Sequence, residues 1–160
     1  MDRMLKRRIE AQVLKNLTPN KVVILLGPRR VGKTVLIQQI LQQVDEPYLL
    51  LNGEDADVRQ RLERRSKQHY LNVLGNKKLL IIDEAQKIPE VGSILKLMVD
   101  EIEGIKILVT GSSAFDINKY TGEPLTGRKK TFNLFTLSEE ELEQVENPIE
   151  KTDRKSTRLN

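Results

Sequence analysis

Cysteine is absent from this 160-residue chain, and histidine occurs once, at His69. Without cysteine there are no disulfides, thiolate zinc sites, iron–sulfur clusters or cysteine nucleophiles. A single histidine argues against a Ser-His-Asp triad or a multi-histidine metal site. Tryptophan is missing and aromatics make up only 4% of the chain. The longest apolar run, Val22–Leu26, is far short of the roughly 20 residues a membrane helix needs. The first residues, Met1-Asp-Arg-Met-Leu-Lys-Arg-Arg8, contain no apolar signal core. The expectation is a soluble, cytoplasmic chain with no membrane partner. Its length suits one domain, with or without a short tail.

A strong excess of one charge is also lacking once the ends are separated. The net charge is +4, from 27 Lys/Arg against 23 Asp/Glu. Residues 151–160 hold four Lys/Arg and one Asp, so the other 150 residues carry 23 against 22. A near-neutral domain gives no electrostatic support for a nucleic-acid partner. The basic stretch Arg59–Lys67 has no interleaved aromatic residue and reads as a solvated helix. His69 reads as a surface residue of the same polar segment.

What is present is an alternation of helix-period and strand-like segments. Leu5, Ile9, Val13 and Leu17 recur at the helical i, i+4 spacing, and Thr18-Pro-Asn-Lys21 ends that helix. Val22–Leu26 suits a strand buried on both faces. A helix over 33–44, a strand over Tyr48–Leu51, a charged helix over 55–74 and a strand over Leu79–Ile82 follow. A helix over 91–102, a strand over Ile105–Val109 and a fifth strand over Lys130–Phe135 complete the pattern, with Ser138 as an N-cap beyond it. Strands alternating with helices predict an α/β fold on an open parallel sheet, with ligands at the carboxyl ends of the strands.

The polar motifs fall at those ends. Gly27-Pro28-Arg29-Arg30-Val31-Gly32-Lys33-Thr34 fits G-x-x-x-x-G-K-[ST], the phosphate-cradling P-loop. Glycine lets successive N–H groups turn toward phosphate oxygens, and the following helix adds its positive end. Lys33 can reach the β- and γ-phosphates, and the Thr34 hydroxyl can ligate Mg2+. The alternative is a bare strand–helix turn, but a chance match arises in only roughly one in two hundred chains of this length. Arg29 and Arg30 can contact phosphate, or face solvent or an interface.

Leu79-Leu-Ile-Ile-Asp83-Glu84 is a hydrophobic strand ending in two acids. By itself this is also an ordinary solvated turn. Beside a P-loop, Asp83 is the candidate magnesium ligand and Glu84 the candidate general base. Thr110-Gly-Ser112-Ser113 ends the fourth strand, and Ser112 is the first choice for contact with the γ-phosphate or the attacking water; a plain capping turn is the alternative. Arg128, in Leu125-Thr-Gly-Arg128, is the candidate for stabilising transition-state charge, within the chain or across a subunit interface; a solvent-exposed basic turn is the alternative. Asn118-Lys119-Tyr120-Thr121 lacks the carboxylate of a guanine-reading Asn-Lys-x-Asp motif, which tilts the nucleotide toward ATP. The first helix and the Thr18–Lys21 loop are expected to form part of the adenine pocket.

Taken in order, Leu25–Thr34, Ile81–Gln86, Thr110–Ser113 and Leu125–Arg128 resemble an AAA-like P-loop ATPase domain of bacteria and archaea, over about residues 5–145. The resemblance implies a three-layer P-loop sandwich with a five-stranded sheet of order 5-1-4-3-2, in which the strand ending in Thr110 lies between the other two motif strands. It implies ATP and Mg2+ as ligands and places Gln86 close to the γ-phosphate. It further implies a C-terminal domain in the natural protein. Residues 1–20 are expected to form a helix packed on a core of 21–145, with 146–160 a tail. The last ten residues have no apolar period and are expected to be artefactual and disordered.

The main expectation is an ATP-hydrolysing module, which can act as a homo-oligomer. A nucleotide-gated switch that binds ATP with little turnover is the alternative from another class. A small-molecule or nucleoside kinase is a third, disfavoured because Glu84 after Asp83 suits water activation.

Overall fold

A computed structural model describes residues 3–28, 32–117, 125 and 127–134. In chain order the elements are α1 (Arg3–Asn16), β1 (Lys21–Leu26), α2 (Lys33–Leu41), β2 (Tyr48–Asn52), α3 (Ala56–Glu63), α4 (Lys67–Leu74), β3 (Leu79–Asp83), a 3-10 turn (Ala85–Lys87), α5 (Val91–Glu101), β4 (Lys106–Gly111) and β5 (Lys129–Asn133). The five strands form one parallel sheet of order β2-β3-β4-β1-β5. Read from the other edge this is 5-1-4-3-2, as the motif order implies.

Side-chain alternation along the strands builds the three layers. Val22 and Ile24 of β1, Leu80 and Ile82 of β3, and Ile107 and Val109 of β4 join one buried cluster. They meet Val58, Leu62, Tyr70, Leu74, Ile94, Leu95 and Met98 from α3, α4 and α5. The intervening Val23, Leu25, Leu79, Ile81 and Leu108 face the other way. They pack with Val13 of α1 and Leu36, Ile37 and Ile40 of α2. Because both faces are covered, the central strands are continuous apolar runs rather than alternating ones.

One expected helix is two. The 55–74 segment breaks at residues 64–66, where Arg64 is extended and Ser66 caps α4 by accepting from the His69 N–H at 3.0 Å. Asp55 caps α3 in the same way, accepting from the Asp57 N–H. Each cap satisfies an N–H that a helix start leaves unpaired, so two short helices compete well with one long one. His69 is half-buried, its Nε2 lying 2.5 Å from the Arg61 carbonyl oxygen in an exposed contact.

At the amino edge of the sheet, Asn20 adopts a left-handed backbone (φ 59°). Its side chain donates to the Val99 and Ile102 carbonyls and accepts from the Gly104 N–H. This clamp ties the start of β1 to the end of α5. It also corrects the adenine-pocket expectation for the Thr18–Lys21 loop, since Lys21 registers with Lys106 at the edge opposite the P-loop. Among the described residues, no helix is long and apolar enough to cross a membrane. Ser138, Asn118–Thr121 and the tail lie outside the described residues.

Candidate nucleotide site

The site assembles where β1, β3 and β4 end side by side. Gly27 follows β1 and donates its N–H to the Gly111 carbonyl at the end of β4 (3.1 Å), so the start of the loop is fixed to the neighbouring strand. Gly32 holds φ 93° at the N-cap of α2, a left-handed conformation that a side chain would strain. Lys33 is buried, and its Nζ donates to the Gly27 carbonyl at 2.7 Å and the Gly111 carbonyl at 2.8 Å. The ammonium therefore bridges the residue that follows β1 and the last residue of β4. Arg29, Arg30 and Val31 lie outside the described residues, so their contacts are not assigned; Pro28, half-buried, leads into them.

Asp83 and Thr34 meet across the cleft. The Thr34 hydroxyl donates to Asp83 Oδ2 at 2.9 Å, and Asp83 is 8% exposed. Strand alternation explains the meeting: Asp83 continues the Ile81 face of β3, the face that α2 covers. The other Asp83 oxygen, Oδ1, accepts from the Thr110 hydroxyl at 2.5 Å and from the Glu84 N–H at 3.1 Å. Thr110 is fully buried, continues the Leu108 face of β4, and also accepts from the Glu84 N–H at 3.0 Å. Thr110 begins the motif that also holds Ser112, and its contact with Asp83 follows from β4 lying beside β3 together with period-2 alternation.

Glu84 stands just past β3 in a left-handed conformation, φ 55° and ψ 47°. Non-glycine residues take this region at a cost, and only where their surroundings over-determine it. Here the surroundings are the two acceptors on its N–H and the close approach of Gly53. Gly53 follows β2, and its N–H donates to the Asp83 carbonyl at 2.7 Å. A Cβ on Gly53 would fall 3.0 Å from the Glu84 carbonyl carbon and closer still to its oxygen. Gly53 was not picked out from the sequence, because its requirement is spatial and not a matter of φ. The Glu84 side chain accepts at Oε1 from Gln86 Nε2 at 2.8 Å.

Ser112 lines a neighbouring cavity of about 400 Å3 together with Gln86, Glu90 and Phe115. Arg128 does not join the site within its own chain. Its carbonyl accepts from the Val22 N–H at the amino end of β1, and its guanidinium pairs with Asp100 at 2.5 Å. At about 3.3 Å per residue, the length of β1 separates that edge from the P-loop by roughly 15 Å. The physical reason is simple: a residue preceding a parallel strand lies at the edge opposite the ligand. Asp100, held by hydrogen bonds from Lys96 and then Arg128, has its carboxyl below the usual carboxylate range.

Against this geometry the comparisons are direct. A family model described as an AAA domain matches residues 19–143. The chain belongs to the AAA domain family. Membership and fold together make it a nucleotide-binding domain of the ATPase type. Uncharacterised proteins of Mycobacterium tuberculosis and Mycobacterium bovis are each 30% identical over 134 residues, covering 83% of this chain and 29% of theirs. One of Methanocaldococcus jannaschii is 26% identical over 148 residues, covering 91% of this chain and 32% of its own. This AAA domain thus spans about a third of the length of the curated relatives it matches. A chain from a structure of Pif1 helicases at forked DNA aligns at 14% identity with a TM-score of 0.45, covering 68% of this chain and 32% of that one.

Proposed function

We propose that this AAA domain binds ATP with Mg2+ and hydrolyses it to ADP and phosphate. The observation that carries the proposal is the convergence of Lys33, Thr34, Asp83 and Glu84 at one edge of the sheet, with Thr34 and Asp83 already in hydrogen-bond contact. A hydroxyl and a carboxylate side by side suit Mg2+, which is usually held by one or two protein oxygens plus substrate phosphates. Among the described residues no group of three or more acidic or histidine side chains could hold a metal independently. The Thr34 and Asp83 oxygens suit an ion that shares its remaining ligands with the nucleotide phosphates. When bound there, Mg2+ would neutralise charge on the β- and γ-phosphate oxygens.

The residues of the chain do the rest. Lys33 exchanges its carbonyl partners for phosphate oxygens and supplies positive charge at the bond that breaks. Glu84 accepts a proton from water as the water oxygen bonds to the γ-phosphorus. The bond from that phosphorus to the β,γ-bridging oxygen breaks, ADP leaves with the electron pair, and the proton passes from Glu84 to solvent. Thr110 keeps Asp83 turned toward Thr34. Ser112 is proposed to contact the γ-phosphate side of the site. Arg128 is left with a role only across an interface between copies, and the longer natural protein is proposed to carry the partner functions.

Glu84→Gln tests the assignment. It is expected to bind Mg-ATP as the wild type does and to lose single-turnover hydrolysis by at least about 100-fold, the scale of general-base catalysis. Wild-type turnover in that variant would remove Glu84 as the base. Tight binding without cleavage by the wild-type chain would instead support a nucleotide-gated switch.

A further inference from the structure

Gln86 has not been given a task by the reading above, yet its placement is specific. It is the middle residue of the 3-10 turn that follows Glu84. The turn is anchored at both ends: Ala85, its first residue, and Ile88, just after it, are buried, and the Lys87 and Ile88 N–H groups donate to the Glu84 and Ala85 carbonyls. The Gln86 backbone therefore has little freedom. Its carboxamide reaches back two residues and donates from Nε2 to Glu84 Oε1 at 2.8 Å. Its own Oε1 is buried and has no hydrogen-bond partner among the described residues. A glutamine on an ordinary surface turn would point both ends into water. This one spends its donor on the carboxylate and keeps an acceptor beside the cavity that Ser112 and Phe115 also line.

The consequence concerns the two oxygens of Glu84. A carboxylate on a flexible side chain can rotate and present either oxygen in many directions. Here one oxygen is occupied by an N–H donor from the chain. The backbone is held by Thr110, Asp83 and the approach of Gly53. The bond at Oε1 restricts rotation of the carboxylate and so sets the direction in which its remaining lone pairs can accept a proton. We propose that Gln86 is the positioning residue of the general base: it fixes Glu84 through this hydrogen bond, and it acts on hydrolysis only through Glu84. The inference rests on the assignment of Glu84 as the base.

The test compares ATP affinity and single-turnover hydrolysis for the wild type, Glu84→Gln, Gln86→Leu, Gln86→Glu and the double variant Glu84→Gln/Gln86→Leu. Gln86→Leu is expected to slow hydrolysis about 10- to 100-fold, the cost of a misaligned catalytic group, with ATP affinity within about twofold of wild type. Gln86→Glu keeps the shape but lacks the donor, and is expected to fall similarly; it serves if Gln86→Leu folds poorly. The double variant is expected to hydrolyse no more slowly than Glu84→Gln alone, because a residue that works through Glu84 has nothing left to position. A merely structural role would instead multiply the two losses. Wild-type turnover in Gln86→Leu or Gln86→Glu, or multiplied losses in the double variant, overturns the proposal. Wild-type turnover in Glu84→Gln overturns the base assignment first and the role of Gln86 with it. The two failures are therefore distinguishable.

Discussion

Gly53→Ala adds one methyl group, and the structure says where it lands. Gly53 is not among the positive-φ residues, so alanine fits its backbone conformation. The obstacle is space. The new Cβ would lie 3.0 Å from the Glu84 carbonyl carbon and 3.3 Å from the Asp83 carbonyl oxygen, with the Glu84 oxygen nearer than either. These are backbone atoms and cannot swing aside as a side-chain tip would. Restoring an ordinary contact of roughly 3.5 Å requires the Glu84 peptide to retreat by about 1 Å. That retreat pulls on its N–H bonds to Asp83 Oδ1 and Thr110 Oγ1, and on the Gly53 N–H to Asp83 carbonyl bond. Overpacking of this kind costs about 1–3 kcal/mol. For a domain near this size the melting temperature falls by roughly 3–10 °C. With Glu84 as the proposed base, a displacement of about 1 Å is expected to lower the proposed hydrolysis on the order of 100-fold. ATP affinity changes much less, because Lys33 and the P-loop hang on β1, β4 and α2. The assay is a thermal melt with single-turnover hydrolysis and ATP titration on the same preparation. A Gly53→Ala chain that melts and hydrolyses like the wild type would refute the reasoning that links Gly53 to Glu84.

Other outcomes follow from the same geometry. Thr110→Val removes a buried hydroxyl from Asp83 Oδ1 and the Glu84 N–H, and should cost about 1–3 kcal/mol in chemical denaturation while raising the Mg2+ concentration needed for half-maximal hydrolysis. An unchanged magnesium requirement would dissociate Thr110 from the orientation of Asp83. Arg128→Ala should leave single-turnover hydrolysis by the monomer unchanged and cost under about 1 kcal/mol, because its ion pair with Asp100 is partly exposed; a large rate loss in a monomeric sample would contradict its placement. Tyr70 donates to the Leu62 carbonyl at 2.9 Å, and burial pushes its phenol above the ordinary value, with Arg65 opposing the shift. The folded state therefore holds this proton more tightly than the unfolded chain. The associated stability is complete below about pH 10 and is lost as pH rises through the folded value. Tyr70→Phe should flatten that alkaline loss in melts between about pH 9 and 11; an equally steep loss in the variant would show that Tyr70 is not its source.

Much of this was legible in the residues because the physics is local. A strand buried on both faces is a continuous apolar run, as at Val22–Leu26 and Leu79–Ile82, and the P-loop follows the first of them directly. Strand order was carried by the resemblance, and the pairings of β4 with both β1 and β3 agree with it. What escaped was relational. Thr110 matters because β4 lies beside β3 and the side chains alternate; within its own segment it is only the last residue of a strand. Gly53 matters because another segment passes close to it. The break at 64–66 turned on Ser66 capping a second helix, a small local gain that helical periodicity does not display. For Arg128 the motif left three readings open, and the parallel sheet, which puts a residue preceding a strand at the far edge, removes only the one within its own chain.

The central claim is that a nucleotide site exists at the carboxyl edge of this sheet and that Lys33 is part of it. The direct measurement is Mg-ATP binding by calorimetry, comparing the wild-type chain with Lys33→Ala, with thermal melts to establish that both are folded. The account predicts binding by the wild type and a loss of affinity on the order of 100-fold in the variant, as expected when a charge-assisted partner of phosphate is removed. Equal affinity in two folded proteins, or no binding by the folded wild type, would contradict it.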